Sequence, residues 1–464
     1  MKTEGEVLMQ TCGFTHCSFG IARRDVTPPV GIYARSWAAA RHEAAEGVHR
    51  PLTATAAVFR SLHPPYQTLA LVALDIGWFP YLPDERRIRS AVLQATGLEE
   101  DALLINFSHT HAGPCVNSQV TDKPGADLIA PYIEHLIDAM TVAVIEARDS
   151  AAPAWITYGH GRCSLAANRD FWAPDIGRFA CGYNPPAPAD DTVLVARVTG
   201  DDNRIIATFV NYACHPTTLA WQNRLLSPDY VGAMRETLES IYGAPCLFLY
   251  GAAGDLGPRE GFVGDPAVAD RNGRQLAYAA AAAFEALPPP ASRFVYTGVV
   301  ASGANLATWD YRPIDDAERT RCATLLYRSI FVPLQRKPSL APIDPPGVDR
   351  SDPIAEAEKA LRRRLLQAAL GDEPIYSMTL WFWRLGDALL VACPNEAYAQ
   401  MQVELRARFH RQPVLVLGCT NGTLGYLPPR DVYGSGLYQE QQSPFLPGCL
   451  EQTITAAITG LESL

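Results

Sequence analysis

None of the 11 cysteines forms a Cys-x-x-Cys pair, and several, Cys181, Cys214, Cys246 and Cys393 among them, sit inside apolar runs. An odd number of thiols in such surroundings reads as reduced and buried rather than as a disulfide frame. No Gly-Lys-Ser/Thr follows the glycine-rich stretch Gly251-Ala252-Ala253-Gly254-Asp255, so it does not read as a phosphate loop. Basic segments are also missing. The formal charge is −10, and the one basic run, Arg362-Arg363-Arg364, falls on helical apolar spacing and reads as a solvated helix face, which excludes nucleic acid as a partner. No run approaches the roughly 18 apolar residues of a membrane span, and no repeat of fixed period is present. The N-terminus, Met1-Lys2-Thr3-Glu4-Gly5-Glu6, carries acids where a secretory signal would be basic and then apolar, so a cytoplasmic location is expected.

What is present is a 464-residue chain, 48% hydrophobic, long enough to bury a large core. β-rich runs predict strands over 53–60, 68–77, 102–108, 155–162, 192–198, 204–211, 246–250, 294–301, 377–385, 388–393 and 414–418. Helical spacing predicts helices over 132–147, 231–242, 267–287, 353–370 and 397–409. The mixture argues for an α/β fold, a mixed β-sheet core with flanking helices. The Pro-rich segment 332–353 reads as an extended surface connection. Candidate site residues fall on both sides of it, so residues 1–464 are expected to form a single catalytic domain.

Two predicted strands end in histidine. Asn106-Phe107-Ser108-His109-Thr110-His111-Ala112-Gly113-Pro114 follows one apolar run and Cys214-His215-Pro216 another. If the first strand runs on through its motif, the pleat puts His109 and His111 on one face, where they can share a metal, a water or a substrate oxygen. Histidines satisfied by backbone carbonyls are the other reading. Imidazole is the commonest zinc ligand, and strand ends on a rigid sheet suit a precise metal site. Cys214 neighbours His215 in a strand, hence points to the opposite face, which argues against a thiol nucleophile. A third strand ends at Glu396 and a fourth leads to Tyr426.

Six segments follow one order: Gly20-Ile21-Ala22-Arg23-Arg24-Asp25-Val26-Thr27-Pro28, Gly47-Val48-His49, His109-Thr110-His111-Ala112-Gly113-Pro114, Cys214-His215-Pro216-Thr217, Gly251-Ala252-Ala253-Gly254-Asp255 and Gly425-Tyr426-Leu427. In that order the chain resembles the neutral, non-lysosomal ceramidases, zinc amidohydrolases that cleave an N-acyl bond. The resemblance implies a ceramidase-like catalytic domain with one Zn2+ at strand ends, held by His109, His215, Glu396 and Tyr426. It further implies His111 as a second-sphere histidine that moves a proton, Asn168-Arg169 as a substrate-side pair, and Tyr438 facing the scissile carbonyl. The implied chemistry is attack of zinc-activated water on an amide carbonyl, with Tyr438 and Arg169 stabilising the oxyanion. Asp75 and Asp255 are candidates for orienting an imidazole. Imidazole and carboxylate ligands also suit iron or manganese.

Two departures bear on the substrate. Gly257 stands where the family has an active-site serine, and the chain ends at Leu464 without the family's C-terminal immunoglobulin-like domain. With no signal peptide, the expected substrate is a small, soluble N-acyl compound. Arg259, replacing a neutral residue, points to an anionic group on it. An esterase, lactonase or acyltransferase on the same residues, and a non-catalytic ligand-binding homologue, are the alternatives. The oligomeric state is not legible.

Overall fold

Residues 69–74 and 246–250 are apolar at every position, as a strand must be when both of its faces are covered. The computed structural model, which describes residues 12–339 and 353–464, shows that cover. Eight strands form the larger sheet: β1 (Phe14–Asp25), β2 (Thr53–Arg60), β3 (Thr68–Leu74), β4 (Leu103–Phe107), β5 (Ala152–Arg162), β6 (Thr192–Gly200), β7 (Ile205–Tyr212) and β8 (Cys246–Tyr250). Their order is β8-β7-β6-β5-β1-β2-β3-β4. The outermost pairs, β7 with β8 and β3 with β4, are parallel, and the others are antiparallel. A second sheet holds β9 (Leu325–Gln335), β10 (Ile375–Leu385), β11 (Ala388–Ala392) and β12 (Val414–Leu417), the last two parallel.

The longer helices are α1 (Leu82–Thr96), α2 (Ile129–Asp149), α3 (Tyr230–Tyr242), α4 (Pro266–Glu285), α5 (Pro353–Leu370), α6 (Gln400–Arg408) and α7 (Cys449–Glu462). Alternation along the strands divides the core. Ala56, Val58, Val72 and Ile105 face Leu136, Met140, Met234 and Leu276 of the helices. Phe59, Leu71, Leu104 and Leu249 point the other way and meet Trp381, Trp383, Leu390 and Leu417 of the second sheet. That sheet's outer face, with Leu380, Phe382, Val391 and Val416, packs on Met401 and Leu405 of α6 and Ile454 and Leu461 of α7. The layers are therefore helix, sheet, sheet, helix.

Buried amides join the two sheets. Asn106 Nδ2 donates to the Gly418 carbonyl at 2.8 Å and its Oδ1 accepts from Tyr250 N at 2.8 Å. Asn211 Nδ2 donates to the Leu249 and Val416 carbonyls, each at 3.0 Å. Asn421 returns the contact, accepting from Ile105 N at 2.8 Å and donating to the Leu103 carbonyl at 3.2 Å.

Several expectations change. The first histidine strand stops at Phe107, and His109 takes a left-handed backbone with φ 64°, so the pleat does not set its ring or that of His111. β1 is absent from the sequence reading because Arg23, Arg24 and His16 break its apolar alternation. α1 is absent because charged Asp84, Glu85 and Arg89 fall on its buried face and break the apolar period, although Pro83 opens it and Gly97, φ 69°, closes it as such residues do. The segment 332–353 is not wholly a connection: Val332 to Gln335 complete β9, where Pro333 is tolerated because the strand is at an edge, and residues 340–352 lie outside those described. One helical stretch, Ala126–Asp149, is apolar and long enough to cross a membrane by length and composition, contrary to expectation. Here its stripe Ile133, Leu136, Met140 and Val144 packs into the core against the larger sheet.

Two stability measurements follow. Asn106→Ala leaves Tyr250 N–H unpaired in the seam and the Gly418 carbonyl with Thr420 Oγ1 as its remaining donor, at 3.1 Å, and urea denaturation is expected to show a loss of about 2 kcal/mol. Burial of Glu85 on α1 pushes its carboxyl up to about 7, against the pull of Arg89 and Arg86. A raised carboxyl pKa means the folded state holds the proton more tightly. Its contribution is thus complete below the unfolded value near 4.5 and is lost as pH rises through about 7. Glu85→Gln is expected to stabilise the protein by about 2–3 kcal/mol at pH 8 and to have little effect at pH 4.5. Equal effects at both pH values would show that Glu85 does not titrate in this range.

Candidate active site

The C-terminal ends of parallel strands collect functional loops, and three parallel pairs end together here. The loop after β4 carries His109 and His111, that after β7 carries His215, and that after β8 carries Gly254 and Asp255. β11 leads to Glu396, and β12 to Tyr426, the latter two joined by the parallel pairing of Glu396–Ala397 with Tyr426–Leu427. Gly254 is required at the centre: a Cβ there would lie 2.6 Å from the Glu396 carbonyl oxygen.

His109 and His215 are 2% and 0% exposed. His109 Nδ1 donates to the Gly77 carbonyl at 2.9 Å and His215 Nδ1 to the Ala253 carbonyl at 2.7 Å. Those bonds fix the tautomer and leave each Nε2 with its lone pair turned inward. Glu396 Oε2 lies 3.0 Å from His215 Nε2 and 3.4 Å from His109 Nε2, and Tyr426 OH lies 3.4 Å from His215 Nε2. Burial, with Arg169 adding to it, pushes His215 down to about 3, so its ring is neutral. Burial opposes ionisation of Glu396, yet His109 and His215 beside it hold it well below the usual carboxylate range. The neutral His215 ring thus turns its Nε2 toward a carboxylate 3.0 Å away.

His111 is set between indoles, its ring centroid 5.2 Å from that of Trp37 and 5.0 Å from that of Trp78. Its buried Nε2 has no hydrogen-bond partner. Burial, then the neighbouring His109 and His215, lowers its pKa well below the ordinary value. Ligand atoms of His109, His111 and His215 all lie within 4.8 Å of one another, a group among the described residues able to hold a metal ion. His111 thus stands as close to the candidate centre as the residues the sequence favoured. The donor set fits a divalent cation: two fixed imidazole nitrogens, an orphaned third, and a carboxylate whose repulsion a positive ion would relieve.

Arg169, 4% exposed, donates through Nη2 to Tyr426 OH at 3.0 Å and to the Gly254 carbonyl at 2.7 Å. It braces the phenol from behind. Tyr438 is 44% exposed and its ring lies 5.8 Å from that of Tyr426. Both tyrosines line a pocket of about 130 Å³ with Trp78, Phe79, His109, His111, Glu396, Leu366 and Arg362.

Four expectations fail. Asp75 orients no imidazole; it accepts from Arg235 at 2.9 and 2.6 Å and from Thr53 N at 2.9 Å. Asp255 accepts from Ala399 N at 2.7 Å and so shapes a loop, the imidazoles being oriented by backbone carbonyls instead. Arg259 is exposed, its guanidinium 5.5 Å from the Tyr183 ring centroid, and does not line the pocket. Arg362 does line it, contrary to its reading as part of a solvated face. Cys214 is buried, and burial raises its thiol well above its ordinary pKa, in keeping with no nucleophilic role. Trp37, Trp78 and Tyr250, whose OH lies 3.2 Å from His215 Nδ1, gave no signal beyond apolar patterning.

Fold and site together define a mixed α/β protein of the ceramidase type. Residues 18–245, just under half of the chain, match the family described as neutral/alkaline non-lysosomal ceramidase, N-terminal. Its fold is similar to that of a structure titled ceramidase complexed with C2, with a TM-score of 0.68 and 16% identity over 97% of this chain and 74% of that one. The neutral ceramidase from Pseudomonas aeruginosa gives a TM-score of 0.67 at 16% identity, again with 97% and 74% covered. No curated protein sequence matches the chain. The family implies a hydrolase acting on amide bonds.

Elemental analysis of the purified protein is expected to find about one divalent ion per chain, lost in both His109→Ala and His215→Ala. A wild type that takes up no ion under loading would remove the metal centre.

Proposed function

We propose that this protein is a zinc-dependent amidohydrolase that cleaves the N-acyl bond of a small, soluble N-acyl compound, and that the chain works as one catalytic unit in the cytoplasm. The observation that carries the reading is the convergence of two tautomer-fixed Nε2 atoms on one Glu396 oxygen, 3.0 and 3.4 Å away, at the floor of a pocket. His109, His215, Glu396 and Tyr426 would hold the zinc. Bound there, it supplies a Lewis acid and lowers the pKa of water from about 15.7 toward ~7.

The chain's own groups do the rest. Tyr438, exposed at the pocket wall, donates its phenolic proton to the carbonyl oxygen as negative charge develops there. His111, with a free Nε2, takes the proton of the attacking water and gives it to the departing amine, which cannot leave as an anion. Arg169 keeps the Tyr426 oxygen in place and, with Tyr438, stands on the substrate side to stabilise the oxyanion. A pocket of about 130 Å³ favours a modest acyl group over two long chains.

A panel of N-acyl amides, esters and lactones tests the reading, with equimolar release of amine and carboxylate expected from amides. Tyr438→Phe is expected to lower kcat by about 100-fold with KM little changed. Turnover of esters or lactones alone would move the site to that chemistry, and saturable ligand binding without turnover at full zinc occupancy would make it a binding protein.

A further inference from the structure

The pocket has one charged residue that the chemistry above does not use. Arg362 sits midway along α5, one turn before Leu366, and both side chains line the pocket mouth. Its guanidinium carbon lies 5.1 Å from the Trp78 ring centroid, and Nη2 donates to the Ser36 carbonyl at 3.3 Å. A guanidinium has five N–H donors, so most remain to be met. Among the described residues no carboxylate pairs with it, and the only acidic residue lining the pocket, Glu396, is turned to the imidazoles. Trp78 holds the planar group by its face and leaves its edge open to the cavity. Beside it, Phe79 and Leu366 offer an apolar wall.

An acyl chain has no use for an unpaired guanidinium. We infer that the amine part of the substrate bears a carboxylate, as in an N-acyl amino acid, and that Arg362 binds it while Phe79 and Leu366 receive the acyl chain. The inference rests on the amidohydrolase reading for what is cleaved, but not for what is bound. It replaces Arg259, which faces away, as the source of preference for an anion.

The test uses two pairs of compounds that differ in the charge alone. N-octanoylglycine and N-octanoylethanolamine report turnover. N-(octylsulfonyl)glycine and N-(octylsulfonyl)ethanolamine, sulfonamides that the enzyme would not cleave, report binding by calorimetry. The wild type is expected to favour the glycine member of each pair by about tenfold or more. Arg362→Gln, checked for an unchanged melting temperature, is expected to bring both ratios near one, and Arg362→Lys to restore part of them. A wild type without preference, or a preference that survives in Arg362→Gln, overturns the inference, whatever the amides show. A preference in sulfonamide binding that Arg362→Gln abolishes, with no cleavage of either octanoyl compound, upholds the anion site and sinks the amidohydrolase reading.

Discussion

The seam between the two sheets is the constraint on which everything else depends. One sheet delivers the histidines and the other delivers Glu396 and Tyr426, so a small slip between them would separate the groups that make the site. Apolar packing of Trp381 and Trp383 on Leu71 and Leu104 resists separation but is not directional. Direction comes from Asn106, Asn211 and Asn421, each buried and each bonded to backbone across the gap. A polar side chain in such a place costs free energy unless it is fully paired, so only one register of the sheets is acceptable. The same Asn106 that ties Gly418 to Tyr250 opens the His109 loop, and seam and site are thus one network.

Within that frame the imidazoles are set by backbone. Gly77 and Ala253 carbonyls each hold an Nδ1 proton, and the Glu396 carboxylate lies 3.4 and 3.0 Å from the Nε2 atoms of His109 and His215. With His215 neutral, its Nε2 lone pair and that carboxylate repel each other at 3.0 Å, a repulsion that positive charge among them would relieve. Protonating His215 is opposed by burial and by Arg169, so a bound cation answers the repulsion better than a proton does. The left-handed backbone of His109 belongs to the same logic: it turns the chain off the strand so that His109 and His111 approach at 5.1 Å with planes at 89°, a geometry no pleat would give.

Much of this was legible in the sequence, and for identifiable reasons. Strands covered on both faces are continuous apolar runs, so β3, β4, β8, β11 and β12 announce themselves, and α5 was bounded correctly by its leading proline and apolar period. The ordered motifs brought His109, His111, His215, Glu396, Tyr426 and Arg169 into one list, and the fold brings them into one place. What stayed hidden depends on long-range contact. Asn106 and Asn421 look like turn residues until the second sheet is beside them. Asp75, a carboxylate at a strand end, looks suited to an imidazole, but Arg235 from α3 takes it with two hydrogen bonds. Arg362 cannot be told from its neighbours Arg363 and Arg364 by period alone, because which face of α5 meets the pocket is decided by residues far away in the chain.

The absence of the family's serine can be judged on the same physical terms. A Cβ on Gly257 would meet Arg169 Cδ at 3.6 Å and Thr217 Oγ1 at 3.8 Å, ordinary contact distances, so the site has room for the side chain it lacks. Its loss is not forced by packing. Arg169 Nε and Nη2 are taken up by Tyr426 and Gly254. Besides the candidate metal-holding groups, the polar side chains that line the cavity are Tyr438, His111, Arg362, Thr423 and Gln442. If the anion-binding role inferred for Arg362 holds, charge on the pocket lining stands in for that hydroxyl, while the imidazoles and carboxylate keep the arrangement that the two sheets impose.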